Sequence, residues 1–391
     1  MNATKIFVLL AVLIVCLGSI AAATGVKARY LVKSDSGKLR AVTGIMHNFE
    51  NGYTAELTSG QVKALEALGV EVEAVPLYHL LGRSVCGDGV CQGKETKTCP
   101  EDCSSLPEDP PEEPRCTPYV QVPYGVAMVN GGSGGAGVTV AVLDTGVNTA
   151  HPDLDVKLCK DATKRGIKDG CTDSDGHGTH VSGTVAANGG ADGLGVYGVA
   201  PGANLWMIKV CGGSGCWTDD MAAGIRYAAD NGANIISMSI GGDTESSLVK
   251  DAIDYAVARN VLIVAAAGND GPAEGSIDYP GANPNVVAVA AIDSSQQVAD
   301  WSSRGINDGD YFIEEGEVEF AAAGVGVEST WKDGCYYTLD GTSMATPHVA
   351  GLAAKLWQGN ASDTRSYLQS VAIDLHTFGD DSATGFGLPV A

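Results

Sequence analysis

The sequence predicts an α/β protein built on a doubly wound, mostly parallel sheet, preceded by a small α+β unit and a short Cys-rich module. Three observations carry this expectation. Continuous apolar, β-branched runs occur at 138–143, 205–210, 235–238, 261–266 and 286–291, as expected of strands buried on both faces. Helical patterns alternate with them, at 218–230 with Gly232 as a stop and at 246–259. Such alternation implies parallel pairing with helices on both faces. Finally, Asp144 closes the first run, at the carboxyl edge where open α/β sheets place their sites.

From the N-terminus, residues 1–23 read as a secretory leader. Lys5 precedes an apolar run, 6–20, and Ala21-Ala-Ala23 offers a small-residue cleavage point. The run is short for a membrane anchor, and bulky Val15 argues against a lipid on Cys16, so secretion is the expected destination. Within the next unit, 24–81, Arg29-Tyr-Leu-Val-Lys33 reads as a strand and Thr58 to Leu68 as an amphipathic helix ended by Gly69. Val70-Glu-Val-Glu-Ala-Val75 reads as a half-buried strand. His47 is expected to be an ordinary surface or core residue.

Residues 82–104 crowd in Cys86, Cys91, Cys99 and Cys103, too few residues for an apolar core, so cross-links must hold them. Zinc is one solution; secretion and the lack of C-x2-C pairs favour two disulfides, with three connectivities open. Residues 105–116, acidic and Pro-rich, form a stiff linker to the large domain, 117–391. There Cys159 with Cys171 and Cys211 with Cys216 are near in sequence, which leaves Cys116 to Cys335.

The chain carries 47 acidic against 24 basic residues, a formal charge of −23. Polyanions and anionic membranes would be repelled, which argues against nucleic acid or a membrane surface as partner. Carboxylates are instead available to hard cations such as Ca²⁺. With 52 glycines and 45% hydrophobic residues, the composition suits a tightly packed enzyme.

Three segments carry the chemistry: Ala141-Val-Leu-Asp-Thr-Gly-Val147, Asp175-Gly-His-Gly-Thr-His-Val-Ser-Gly183 and Gly341-Thr-Ser-Met-Ala-Thr-Pro-His-Val-Ala-Gly351. Each sets one acid, base or nucleophile among glycines, where backbone and substrate can approach closely. A serine hydroxyl needs a base within hydrogen-bond reach, and the base needs an orienting acid. Ser343 is thus the expected nucleophile, His177 the general base and Asp144 its partner. A helix opening at Ser343 would offer free N–H groups to an oxyanion, and Pro347 is expected in its first turn. His151, His180 and His348 are read as structural.

In letters and in their order Asp, His, Ser, these segments resemble the motifs of the subtilisin-like serine proteases, over roughly residues 117–391. The resemblance implies a secreted endopeptidase that cleaves polypeptides through an acyl-enzyme. It also implies a zymogen, with 24–81 as folding assistant and intramolecular inhibitor. Asn269, in Ala265-Ala-Ala-Gly-Asn-Asp-Gly271, would be a side-chain donor to the oxyanion, with Gly268 beside it; taken alone, Asn-Asp-Gly would suit a turn. Ser239-Ile240-Gly241 would be the edge to which substrate adds as a strand. For a structural Ca²⁺, Asp153 and Asp192 match the side-chain ligands and Leu194 and Val196 the carbonyls, whereas Gln121 falls one residue from the usual Gln position, taken by Val120. No organic cofactor is implied, and a monomer is expected.

Aligning Tyr279-Pro-Gly281 puts Asp278 where a glycine often floors the pocket for the residue before the cut, with Asp270 at its rim. A carboxylate there would favour Lys or Arg; turned outward, it would only cap a loop. The acidic insertion 307–317 departs from the family pattern. Two other readings use the same residues: an esterase, and a catalytically silent binding protein of the same fold.

Overall fold

In strand Thr139–Asp144 every residue is buried. Val140 and Val142 enter one apolar cluster, Ala141 and Leu143 another, because side chains alternate across the sheet. The computed structural model describes residues 26–81, 116–213 and 215–391. The leader, the Cys86–Cys103 cluster and the linker up to residue 115 lie outside them.

The main sheet has the order Phe320–Ala323, Val287–Ile292, Leu262–Ala266, Ile235–Met238, Thr139–Asp144, Asn204–Lys209, Val156–Asp161, all parallel, with Lys168–Asp169 as an antiparallel edge. Helices His177–Ala186 and Thr342–Lys355 cover one face, packing Val181, Val185, Met344 and Val349 onto Val140, Val264 and Val289. Helices Thr218–Asp230 and Ser247–Val257 cover the other, against Ile208, Ile236 and Ile263. This is the doubly wound arrangement expected from the sequence. Disulfides join Cys159 to Cys171, Cys211 to Cys216 and Cys116 to Cys335, the pairs expected. Among the described residues no helix is long and apolar enough to cross a membrane.

Residues 27–74 form an antiparallel sheet of order Asn48–Phe49, Gly52–Thr58, Lys27–Lys33, Glu71–Ala74. Helix Ser59–Glu66 begins with a capping box: Thr58 Oγ1 accepts from Gln61 N–H while Gln61 Oε1 accepts from Thr58 N–H. Strand Gly52–Thr58 and helix Gly37–Thr43 were not expected.

This unit docks onto the helices of the large domain through buried polar groups. Arg29 Nη1 lies 2.9 Å from Asp219 and 2.7 Å from Asp220, His47 Nε2 lies 2.8 Å from Asp220 Oδ1, and Thr54 Oγ1 donates to Asp219 Oδ2 at 2.7 Å. Both aspartates occupy the first turn of Thr218–Asp230, where the helix dipole favours negative charge. His47 is therefore a buried interface residue.

Candidate active site

Asp144 ends its strand fully buried and accepts from His177 Nδ1 at 2.9 and 3.0 Å through its two oxygens. The approach requires glycine: a Cβ on Gly178 would lie 2.1 Å from the Gly146 carbonyl and 3.1 Å from Asp144 Oδ1. A second buried carboxylate, Asp173, shapes this turn by accepting from Gly176 N–H, Thr145 Oγ1 and both Thr179 N–H and Oγ1. Burial opposes charge on His177, but the charge and hydrogen bond of Asp144 outweigh it, with help from Asp175 and Asp173. The imidazole is held above its ordinary pKa. The other histidines in these segments are tied to backbone. His180 Nε2 meets the Val327 and Tyr337 carbonyls and His348 Nδ1 that of Met344. Burial pushes them down to about 3 and about 4, with the charge of His177 adding at His180. His151 Nε2 meets the Cys335 carbonyl, and burial lowers it too.

Ser343 is the second residue of helix Thr342–Lys355, which packs against the helix carrying His177. Its Oγ donates to the Ser239 carbonyl at 3.1 Å, and His177 Nε2 is buried without a partner among the described residues. The Ser–His hydrogen bond is thus not made in this state. Pro347 lies deeper than expected, as the sixth residue of the helix. Lacking an N–H, it cannot bond the Ser343 carbonyl four residues back. Ser239 Oγ does so instead, at 2.8 Å.

Asn269 follows strand Leu262–Ala266. Its Oδ1 accepts from Thr342 N–H at 3.1 Å and Thr342 Oγ1 at 3.0 Å, which fixes the amide so that Nδ2 faces the cleft. Gly268, at φ +114°, donates its N–H to Thr342 Oγ1. Nδ2 donates to the carbonyl of Leu81 at 2.7 Å, and the Ser343 N–H donates to the same oxygen at 3.4 Å.

Leu81 follows strand Leu77–Leu80, which runs antiparallel between Gly215–Trp217 and Ile240–Gly241. Leu80 stands opposite Ile240, His79 opposite Gly241 and Tyr78 opposite Cys216, while Leu81 N–H donates to the Ser239 carbonyl at 3.3 Å. The 239–241 edge therefore carries an extended segment, the chain's own. The opposite wall, Cys211–Gly212 paired with Gly215–Trp217, escaped the sequence reading, although the tight Cys211–Cys216 spacing was a signal for a pinned hairpin.

The Leu81 side chain lies against Gly241, and Asp278 sits wedged between Gly241 and Gly268. Asp278 packs inward against both glycines and is 3% exposed. Exposed Asp270 and Asp243 stand beside it, with one carboxylate oxygen of each of the three within 4.8 Å of the others. Asp243 was not anticipated. Burial, then the charges of Asp270 and Asp243, push the Asp278 carboxyl up to about 7.

The expected calcium ligands come from two loops, Asp153 from the one before strand Val156–Asp161 and the rest from 188–197. Buried Asp153 gives Oδ2 to Val196 N–H and the Tyr336 hydroxyl, both at 2.8 Å. Asp192 Oδ1 accepts from Leu194 N–H at 3.0 Å, and the Val196 carbonyl accepts from Gly189 N–H. Gln121 Nε2 reaches the Gly193 carbonyl, so the displaced glutamine still meets this loop. The insertion 307–317 folds back through Asn307, which bonds the Val318 carbonyl and Asp380.

A parallel α/β sheet that gathers an acid–base pair, a helix-borne serine and a strand-binding cleft defines a serine hydrolase acting on polypeptides. The chain belongs to the subtilase family, whose sequence pattern matches residues 135–387. It is 49% identical over 300 residues to the Subtilisin of Bacillus sp. (strain TA39), covering 69% of this chain and 71% of that one. It is 39% identical over 306 residues to the M-protease of Shouchella clausii (strain KSM-K16), covering 74% and 75%. Among solved structures it is similar to Sphericase, with a TM-score of 0.68 and 49% identity over 70% of this chain and 99% of that one. The S41 Psychrophilic Protease is similar at a TM-score of 0.67 and 49% identity, over 71% and 98%. The protein is a subtilisin-type serine endopeptidase.

Proposed function

We propose that this protease is secreted as a zymogen, that residues 24–81 are its intramolecular inhibitor, and that maturation cuts the Leu81–Gly82 bond. The observation that carries the reading is the Leu81 carbonyl, bonded by Asn269 Nδ2 and the Ser343 N–H at the end of a strand paired with the cleft.

In this reading Ser343 Oγ turns from the Ser239 carbonyl to His177 Nε2, gives up its proton there and attacks the peptide carbonyl. Asp144 steadies the imidazolium. The developing oxyanion takes the hydrogen bonds that Leu81 now accepts, and one such donor is typically worth about 10²–10³ in turnover. His177 then protonates the leaving amine, and the acyl-enzyme is released to water by the same steps reversed. Peptides are favoured over simple esters because the cleft bonds main-chain N–H and C=O along several residues.

The same reading places Ca²⁺ in the 188–197 loop, on Asp153 Oδ1, the Asp192 carboxylate and the carbonyls of Leu194 and Val196, all hard oxygen donors. Convergence at Gly190 supports the fit: a Cβ there would lie 2.9 Å from Asp153 Oδ1 and 3.6 Å from Asp192 Oδ1. The ion would brace the loop, and no chemical step passes through it.

Ser343→Ala should abolish peptide hydrolysis and leave residues 24–81 attached. N-terminal sequencing and intact mass of the secreted product decide this. Self-processing by the pure variant, or a parent enzyme that does not begin at Gly82, would overturn the reading.

A further inference from the structure

We propose that Asp243, Asp270 and Asp278 form a cation seat at the floor of the pocket holding Leu81, and that this seat selects substrates with Lys or Arg before the cut. The proposal rests on the proteolytic reading and deepens it by naming the substrate class.

Depth is the first observation. A Cβ on Gly241 would lie 2.6 Å from Leu81 Cδ1 and 2.9 Å from Asp278 Oδ2, so the tip of the leucine and the carboxylate flank one point. The side chain of Leu ends at its δ-carbons, whereas that of Lys continues for two more atoms toward the acid. Glycine on both walls makes the room, since a Cβ on Gly268 would also come 2.9 Å from Asp278 Oδ2.

Pairing is the second. Buried charges are normally paired and hydrogen-bonded. Asp278 is 3% exposed, yet its carboxylate makes no hydrogen bond or ion pair with any other described residue. The charges acting on it are those of Asp270, earlier in the same loop, and Asp243, from a second loop, both of the same sign. The Tyr78 phenol acts on the same site but is kept neutral by burial and donates to the Thr244 carbonyl at 2.6 Å, and the neighbouring Tyr279 phenol donates to Glu315. A cationic side chain entering from the cleft would supply what the pocket lacks, and charge-assisted bonds in a desolvated site are strong.

The preference should depend on pH. With leucine bound, Asp278 titrates at about 7. Below that value it is a neutral acid that tolerates Leu; above it the carboxylate penalises Leu and attracts an ammonium or guanidinium. A cation favours the ionised form, so the advantage of Lys over Leu grows as pH rises through 7 and then levels off.

The test compares kcat/KM for matched peptides with Lys, Arg or Leu before the cut, from pH 5.5 to 9, on parent enzyme, Asp278→Asn and Asp243→Asn. Labelling with a serine-directed phosphonate counts the folded, competent fraction of each. The Lys-to-Leu ratio should rise about tenfold or more across neutrality. It should fall roughly tenfold to a hundredfold in Asp278→Asn at pH 8, with the pH dependence flattened, and should fall less in Asp243→Asn. A parent ratio independent of pH and unchanged in Asp278→Asn overturns the seat while leaving the protease reading intact. Loss of the preference on adding Ca²⁺ at fixed ionic strength also overturns it, by marking a metal seat. A parent enzyme that labels with the phosphonate but cuts none of the peptides would count against the protease reading instead.

Discussion

Pro347 deprives the Ser343 carbonyl of its helical partner, and Ser239 Oγ replaces that partner from 104 residues away. Ser239 is 1% exposed and Ser343 fully buried, so water has no ready access to the bond. Ser239→Ala should therefore strand a buried acceptor, at a cost of about 1–3 kcal/mol. In a domain this large each kcal/mol moves Tm by roughly 2–4 °C, so a fall of roughly 2–12 °C is expected. Pro347→Ala returns an N–H to the position four residues after Ser343. The double variant Ser239→Ala/Pro347→Ala should then regain much of the loss, with a coupling of about 1 kcal/mol or more between the two positions. Calorimetry of the four proteins in a Ser343→Ala background, where autolysis is absent, reads the cycle. Additive losses, or an unchanged Tm in Ser239→Ala, would refute the account.

Two further outcomes are expected. Burial opposes the charge on His177, but Asp144 overrides it, so the acid limb of kcat/KM for a Leu peptide should lie above the ordinary histidine value of 6.5. The base works neutral, activity is lost as pH falls through that limb, and Asp144→Asn should move the limb down; a parent limb below 6.5 would contradict the assignment. If the 188–197 loop holds Ca²⁺, a hundredfold excess over Kd adds about 2.7 kcal/mol, so a chelator should lower Tm in the parent and have little effect in Asp192→Ala. Equal chelator effects in both would exclude Asp192 as a ligand.

The parallel strands were legible because burial on both faces strips polar residues from runs such as 138–143. Strand Gly52–Thr58 was not, since its polar Thr54 is buried too, against Asp219 of a distant helix. No local period reports a face covered by another domain. Asp144, His177, Ser343 and Asn269 stood out because the close approaches around them demand glycines in sequence beside them, as Gly178, next to His177, does where it approaches Asp144. Asp173 carries no such local mark, and the role of Asp243 arises only where its loop meets Asp270 and Asp278, distant in sequence. Pro347 was placed a turn too early for the same reason. The hydroxyl that makes it tolerable belongs to Ser239, on another element.

The inhibitory grip of residues 24–81 and the fit of Leu81 are physically separable in the proposed zymogen. Leucine cannot pair with the carboxylates beneath it, so the pocket floor contributes little to docking when Asp278 is ionised. The hold comes from elsewhere: Arg29, His47 and Thr54 on Asp219 and Asp220, Glu73 accepting from Ser247 at 2.8 Å, and buried Tyr78 bonded to Thr244. Placing the two aspartates at a helix N-terminus lets that hold be given up. While the unit is docked, Arg29 pairs with them and His47 and Thr54 hydrogen-bond to them; once it leaves, the helix N-terminus and water can carry the charge, so the protease keeps no stranded buried charge. A basic residue at position 81 would instead lock the product onto the selective seat, slowing release of the very segment that maturation has to expel.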